Sequence, residues 1–277
     1  MSNGAVPHGA AGIRTVAVVP AYNEEATVAA VLDRLYPMVD ELVVVDDGSV
    51  DRTRAAIEAW LPGHDGATLL AFGRNRGMSA AYYAALSEVK RRFEAGGLGA
   101  DDLVLTVDAD GQHDLASLDD LVRLVLDERL DALMAQRDLS DYPAVKRVGN
   151  WVVSAWASMW AGTRLRDVES GYRAFRVAAI ADALGYYRGW KYSETVEVAV
   201  VLCRLGYRVR NDVRVPVPVF RSRTRFSDAV IDLTVIPLSA LRVWRRRLRR
   251  GSGRTPGLPA AGRREPAAGP VPAGRRG

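Results

Sequence analysis

The feature that most constrains this chain is an alternation of short apolar runs with longer segments of helical period. The runs are Thr15–Pro20, Glu41–Asp46, Thr68–Phe72, Asp102–Val107 and Ala132–Ala135, and the helical segments between them are Glu24–Val39, Ser49–Trp60, Gly77–Ala95 and Leu115–Glu128. Strands apolar on both faces, alternating with helices of about ten to twenty residues, imply an α/β fold: a mostly parallel sheet with helices on both faces. Ligands of such sheets bind outside the carboxyl ends of the strands. The loops of interest are therefore Pro20–Glu25, Asp46–Asp51, Phe72–Gly77 and Asp108–Asp114, all rich in Asp, Asn, Glu, Gly or Arg. Pro20 is expected to stop the first strand, since proline has no N–H to give to a ladder. Beyond residue 136 the alternation loosens into a helix over Ala144–Ala161, a loop Gly162–Gly171, a helix near Ser193–Leu205 and a β-like run Tyr207–Phe220.

Composition narrows the function classes. With 277 residues, 48% of them hydrophobic, the chain can bury one large core or two modest ones, which excludes wholesale disorder. The single cysteine, Cys203, can form no internal disulfide, and no basic segment followed by an apolar one opens the chain, so the cytoplasm is the expected compartment. The net charge of +5 hides an asymmetry, because residues 242–277 hold eleven arginines and one acid, Glu265. The body before them is acidic, which speaks against a nucleic-acid-binding core. The longest apolar candidate for a membrane span, Ala229–Leu241, is too short and is broken by Asp232 and Pro237. Four parts are expected: a loose lead-in at 1–13; a folded body at 14–227, divided at 135/136 into a ligand-binding half and a half that would carry the acceptor side of whatever the first half binds; a basic amphipathic helix at 228–250; and a disordered Arg/Pro/Gly/Ala tail at 251–277.

Neither a G-x-G-x-x-G fingerprint nor a G-x-x-x-x-G-K-[ST] loop is present, so a phosphate must be handled otherwise. The run Val107-Asp108-Ala109-Asp110-Gly111-Gln112-His113-Asp114 offers another way. Two carboxylates at i and i+2, leaving the end of an apolar strand with Gln112 as a further oxygen donor, suit a hard cation such as Mg2+ or Mn2+ that bridges to a diphosphate. Asp residues also favour turns and helix caps, the competing role for this pair. His113 is expected at the surface or behind the ligands. Asp47 can accept hydrogen bonds from a base or ribose, Ser49 or Asp51 can cap the next helix, Tyr22 can stack on a base, and Glu24 can anchor a polar group.

Taken together these motifs are specific. Val19-Pro-Ala-Tyr-Asn-Glu-Glu25, Val45-Asp-Asp-Gly-Ser-Val-Asp51, Asn75-Arg76-Gly77 and Asp108-Ala-Asp-Gly-Gln-His113 resemble, in order and spacing, the nucleotide-sugar half of glycosyltransferase family 2, which has the GT-A fold. Gln136-Arg137, Lys146-Arg147, Asp167-Val-Glu-Ser-Gly-Tyr-Arg-Ala-Phe175, Glu197 and Val215-Pro216 with the arginines after it resemble the dolichyl- or polyprenyl-phosphate mannose and glucose synthases of that family.

The resemblance implies that Pro20, Tyr22, Glu24 and Asp47 contact the nucleoside. It makes Asp108, Asp110 and Gln112 the metal and diphosphate ligands. Arg137, Arg147 and one of Arg221, Arg223 or Arg225 would meet the acceptor phosphate or the donor diphosphate, with Ser227 beside them; Asp110, Arg137 and Arg147 are the expected catalytic set. Where the family has lysine, this chain has Met78, so the basic role there moves to Arg74 or Arg76. The family's Arg-x-x-Gly-x-Ser-Lys survives only as Arg221-Ser-Arg-Thr-Arg-Phe-Ser-Asp228.

The implied reaction moves a hexose, with inversion, from GDP-mannose or a UDP-hexose to a polyprenyl phosphate. Such an acceptor is already anionic near neutral pH and needs no general base. A soluble transferase acting on a sugar or small-molecule hydroxyl is the alternative; it would need a carboxylate base, for which Asp167 and Glu169 are the candidates. A non-catalytic adaptor is disfavoured because both carboxylates of the Asp-x-Asp pair remain. The apolar series Val230–Leu248, followed by arginines, resembles an interfacial helix whose basic end meets anionic headgroups at the inner membrane face, or else a helix packed on the core.

Overall fold

The computed structural model describes residues 12–140, 142–187, 193–215 and 226–249, with side chains of the last helix described over 233–246. The lead-in before residue 12 and the tail after 250 lie outside the described residues. Strands β1 (Thr15–Ala21), β2 (Glu41–Asp46), β3 (Ala67–Ala71) and β4 (Leu103–Thr106) form a parallel set in the order β3-β2-β1-β4. The sheet continues through β7 (Arg173–Arg176), β5 (Ala132–Met134) and β8 (Val209–Arg210) to seven strands. A second ladder pairs β6 (Gln136–Arg137) with β9 (Arg214–Val215).

Alternation within each strand builds two cores. Val16, Val18, Val43, Val45 and Val104 face one side, where α3 (Met78–Glu94), α5 (Ala144–Ala161), α6 (Val177–Ala183), α7 (Glu194–Leu205) and α8 (Phe226–Arg249) gather. Ala17, Val19, Leu42, Val44, Leu103 and Leu105 face the other, covered by α1 (Val28–Leu35), α2 (Thr53–Trp60) and α4 (Leu118–Asp127). Burial on both faces is why these strands read as continuous apolar runs.

Two expectations are corrected. Pro20 does not stop β1; it pairs with Val45, and the strand runs on to Ala21. Val18 directs its carbonyl toward β4, accepting from the amide of Val107 at 3.1 Å, and Pro20 points the same way, past the last β4 pairing at Thr106. The missing N–H therefore falls where no partner strand remains. The second correction is to the expected strand set, which had no element between Gly171 and Ser193: β7 lies there and runs antiparallel between β4 and β5. Its ends are arginines, 5% and 8% exposed, a composition that hides a central strand. The Arg173 guanidinium donates to the carbonyls of Ser170, Thr195 and Val168, and that of Arg176 to the Leu130 carbonyl and the Asp101 carboxylate. Satisfied donors make the burial tolerable.

Candidate active site

Because β2, β1 and β4 are adjacent and parallel, the residues after Asp46, Ala21 and Thr106 share one edge of the sheet. The carboxyl ends of β2 and β4 lie two strand spacings apart, about 10 Å.

On the β2 side the loops are stitched to one another. Asn23, at φ 55°, donates its amide to Ser49 Oγ (3.0 Å) and accepts from the Val50 amide (3.0 Å), while the Glu24 amide donates to Thr53 Oγ1 (2.7 Å). Asp51 accepts from the Thr53 amide at 2.9 Å, one residue ahead of the N-cap position of α2, Arg52, which itself makes no side-chain cap bond. Asp47 is buried; Oδ1 accepts the Arg76 amide (2.7 Å) and Oδ2 the Gly77 amide (2.9 Å). Burial raises its pKa while the two amides pull the other way. Asp47 is thus a strut for the 72–77 loop. Gly48 is required next to it, because its φ is +66° and a Cβ would stand 2.1 Å from the carbonyl carbon of Arg74. Tyr22 and Glu24 are half-buried in the same corner, and Thr27 Oγ1 donates to Glu24 Oε2 at 3.2 Å. Arg74 is exposed, and Arg76 stacks over the Phe72 ring at 4.7 Å.

At the end of β4, Asp108 is oriented from three sides. Tyr82 Oη donates to its Oδ1 at 3.0 Å, and His113 Nε2 lies 3.3 Å from Oδ2. The Asp108 amide donates to His113 Nδ1 at 3.1 Å, which places the ring proton on Nε2, facing the carboxylate. Tyr172 stacks on the imidazole at 4.7 Å and donates its hydroxyl to the Asp114 carbonyl. His113 is therefore a buried support. Asp110 accepts the Gln112 amide through Oδ1 at 3.0 Å, a turn that keeps this carboxylate close to Gln112. Gly171 closes over Asp108: a Cβ there would be 3.0 Å from Oδ2, so any side chain at this position would push on that carboxylate. Tyr82 and Gly171 are the contributors that sequence reasoning missed. A tyrosine within an amphipathic helix and a glycine ending a loop carry no signal of which carboxylate they will meet.

The acceptor-half residues are distributed differently from expectation. Arg137 forks onto Asp167, with Nε to Oδ2 at 2.8 Å and Nη2 to Oδ1 at 2.9 Å, and Glu169 lies 3.5 Å from the same guanidinium. Burial alone would favour a neutral guanidinium, yet Asp167 and Glu169 raise its pKa above the usual arginine value. Asp167 is 1% exposed and committed to this pair. Glu169 is partly open, and burial raises its carboxyl against the pull of Arg137. Arg147 sits exposed on the first turn of α5, where Nη1 reaches the Ser140 carbonyl at 3.5 Å. Arg221, Arg223 and Arg225, and the side chain of Ser227, lie outside the described residues.

Beneath Asp108, Ser79 Oγ donates to the buried Glu194 at 2.6 Å, and burial lifts that carboxyl from 4.5 to about 7. A carboxyl raised in the folded state contributes its full stability below its unfolded value and loses it as pH rises through the folded one. Glu194→Gln should melt like the parent near pH 4 and be about 2–3 kcal/mol more stable at pH 8. Denaturant titrations at both pH values check this; an equal change at both would return Glu194 to a packing role alone.

Similarities to known proteins bear on this site. The undecaprenyl-phosphate mannosyltransferase of Micrococcus luteus is 27% identical over 213 residues, covering 74% of this chain and 83% of that protein. The UDP-N-acetylglucosamine–dolichyl-phosphate N-acetylglucosaminyltransferase of Methanococcus voltae is 25% identical over 205 residues, 68% of this chain and 78% of that protein. Among solved structures, glucosyl-3-phosphoglycerate synthase of Mycobacterium tuberculosis, in complex with UDP, shares the fold at a TM-score of 0.60 and 22% identity, covering 84% of this chain and 81% of that one. Residues 16–181, which contain the Asp47 loop, the Asp108–Asp110 pair and the Asp167–Gly171 loop, match the family description "Glycosyl transferase family 2". With its parallel sheet and acidic loops assembled along one edge, the chain belongs to glycosyl transferase family 2.

Proposed function

We propose that this protein moves a hexose from a nucleotide sugar, GDP-mannose or a UDP-hexose, to a polyprenyl phosphate, with inversion. The observation that carries the reading is the approach of Gly171 to Asp108, because it puts the acceptor-half loop directly over the expected diphosphate end of the donor half. Relatives named for transfer to undecaprenyl and dolichyl phosphates, covering most of their own length with this chain, support the acceptor class.

Asp108, Asp110 and the amide oxygen of Gln112 offer hard oxygen donors, although among the described residues no three His, Cys, Asp or Glu side chains converge on one point, here or elsewhere. That donor set fits Mg2+ or Mn2+, which when bound neutralises charge on a leaving diphosphate; the M. tuberculosis neighbour is described in complex with Mn2+ and UDP-glucose. Tyr82 and His113 hold Asp108 in its rotamer, and Asp47 holds the 72–77 loop against the nucleoside corner. The acceptor phosphate is a ready nucleophile, so the remaining work is positioning and charge compensation. Lys146 and Arg147 on α5, with Arg221, Arg223 and Ser227, are assigned to it. Arg137 is assigned to shaping the 167–171 loop through Asp167.

One observation favours a second reading. Glu169 is partly open with its pKa raised, which suits a base for a hydroxyl acceptor. Glu169→Gln separates the two. With a phosphate acceptor, kcat should fall by less than about tenfold; with a hydroxyl acceptor, loss of the base should lower it by about 10²–10⁴. The direct test is incubation with Mn2+ or Mg2+, labelled GDP- and UDP-sugars and polyprenyl phosphate, followed by extraction. Label in the organic phase is expected; label only in a water-soluble product would overturn the lipid acceptor.

A further inference from the structure

Helix α7 is buried along nearly its whole length, and α5 and α8 both lie on it and on each other. Trp156 on α5 donates its indole N–H to the Leu233 carbonyl on α8 at 3.0 Å. Their inward faces are apolar as expected: Val153, Ala157 and Ala161 on α5, and Val235, Ile236, Ala240 and Val243 on α8. Between these faces Glu197, fully buried on α7, accepts from Arg242 at 2.8 Å and from Ser239 at 2.9 Å. Arg242 is therefore an internal tie, although it opens the basic run of the sequence. Arg246 also turns inward, onto the Tyr186 ring and the Gly185 carbonyl.

The opposite faces ought to be polar in a helix that covers a core. On α5 the reverse holds: Val148, Trp151, Val152 and Met159 are exposed, Trp151 at 69% and Met159 at 57%. Leu238, Leu241 and Trp244 do the same on α8, Trp244 at 58%. Since both helices turn their inner faces to α7, these outer faces lie on one side of the molecule. Apolar side chains concentrated on two adjacent helices exceed the scatter of single exposed residues normal for a surface. The charges these two helices carry are mostly basic. Helix α5 has no acidic residue and carries exposed Lys146 and Arg147, and Arg245 is exposed on α8, whose acids, Asp228 and Asp232, stand in its first two turns.

We propose that the outer face of α5, together with that of α8, docks this protein on an anionic lipid bilayer, with Trp151 and Trp244 at headgroup level. The proposal rests on the lipid-acceptor reading and adds to it. Helix α8 alone was the expected membrane contact; α5 doubles the surface and, since it carries Arg147, sets the acceptor end of the site beside the lipid. Among the described residues no helix is long and apolar enough to cross a membrane, so the contact is interfacial. A second copy is the poorer occupant, because a two-fold contact would bring the basic groups of both copies together with no acid on α5 to pair them.

The test uses the full chain and vesicles of phosphatidylcholine, alone or mixed with phosphatidylglycerol. Co-sedimentation with the mixed vesicles is expected, weakened by salt. Val148→Ser with Trp151→Ser, and separately Trp151→Glu, should lower the partition coefficient by about tenfold or more while leaving the melting temperature and nucleotide binding unchanged. Failure of the parent chain to sediment with mixed vesicles, or unchanged sedimentation of the α5 variants, would overturn the proposal. So would a lipid-free dimer that these substitutions convert to monomer. Transfer to a short-chain, water-soluble prenyl phosphate separates the two ideas: transfer without vesicle binding overturns docking alone, whereas vesicle binding without transfer to any prenyl phosphate supports docking and overturns the acceptor.

Discussion

Asp110→Ala is expected to lower sugar transfer by about 10³-fold while leaving the fold intact, the largest effect on activity of any single substitution considered. Asp110 stands in the turn after β4, half-buried, and its Oδ1 accepts the Gln112 amide within the same turn. Removing a local turn bond at such a position costs on the order of 1 kcal/mol, too little to unfold a domain. The loss should therefore appear in kcat/KM and in Mn2+ affinity measured by calorimetry, with the melting temperature close to the parent's. Asp110→Asn, which keeps an acceptor for the Gln112 amide and removes the charge, should lose nearly as much. Full activity in either variant, or in excess chelator, would remove the cation from the mechanism and return the pair to turn chemistry.

Much of the donor half was legible in the sequence because its signals are local. A parallel strand covered on both faces must be apolar throughout, and the acidic residue at its carboxyl end needs no knowledge of the rest of the fold to be noticed. Hence β1, β2 and β4 and the loops after them follow from the order of residues. What escaped notice depends on partners distant in sequence. Strand β7 is bounded by Arg173 and Arg176, and only carbonyls as far away as Thr195 and Leu130 make their burial tolerable. Tyr82 reaches Asp108 across 26 positions, and Arg137 reaches Asp167 across 30. That Arg137 also has a carboxylate partner could not be read from the residues around it. The outward apolar face of α5 was hidden for another reason: a helix apolar on both sides shows a weak period, and nothing in a single sequence says which side meets the core.

Arg137→Leu is expected to destabilise the protein by about 3–5 kcal/mol, the largest effect on stability. Asp167 is 1% exposed and would lose both side-chain donors of the fork, retaining the Arg137 backbone amide at 2.9 Å. A buried carboxylate stripped of its cation keeps the desolvation cost and loses the attraction that offset it. Arg137→Leu with Asp167→Asn removes both charges, and most of the lost stability should return, since an unpaired buried charge is worse than none. Urea titrations of the two single variants and the double variant at neutral pH check this; a double variant no more stable than Arg137→Leu would mean that packing, not charge, is what Arg137 supplies. The double variant also decides what Arg137 does in transfer. An inactive single variant is uninformative, because a collapsed 167–171 loop would withdraw Gly171 from Asp108 whatever the arginine touches. If the double variant folds and still transfers sugar within about tenfold of the parent, Arg137 is a positioning residue acting through Asp167. If it folds and is inactive by about 10² or more, the guanidinium meets a phosphate during the reaction, and the Asp167 fork is the resting arrangement from which it is drawn.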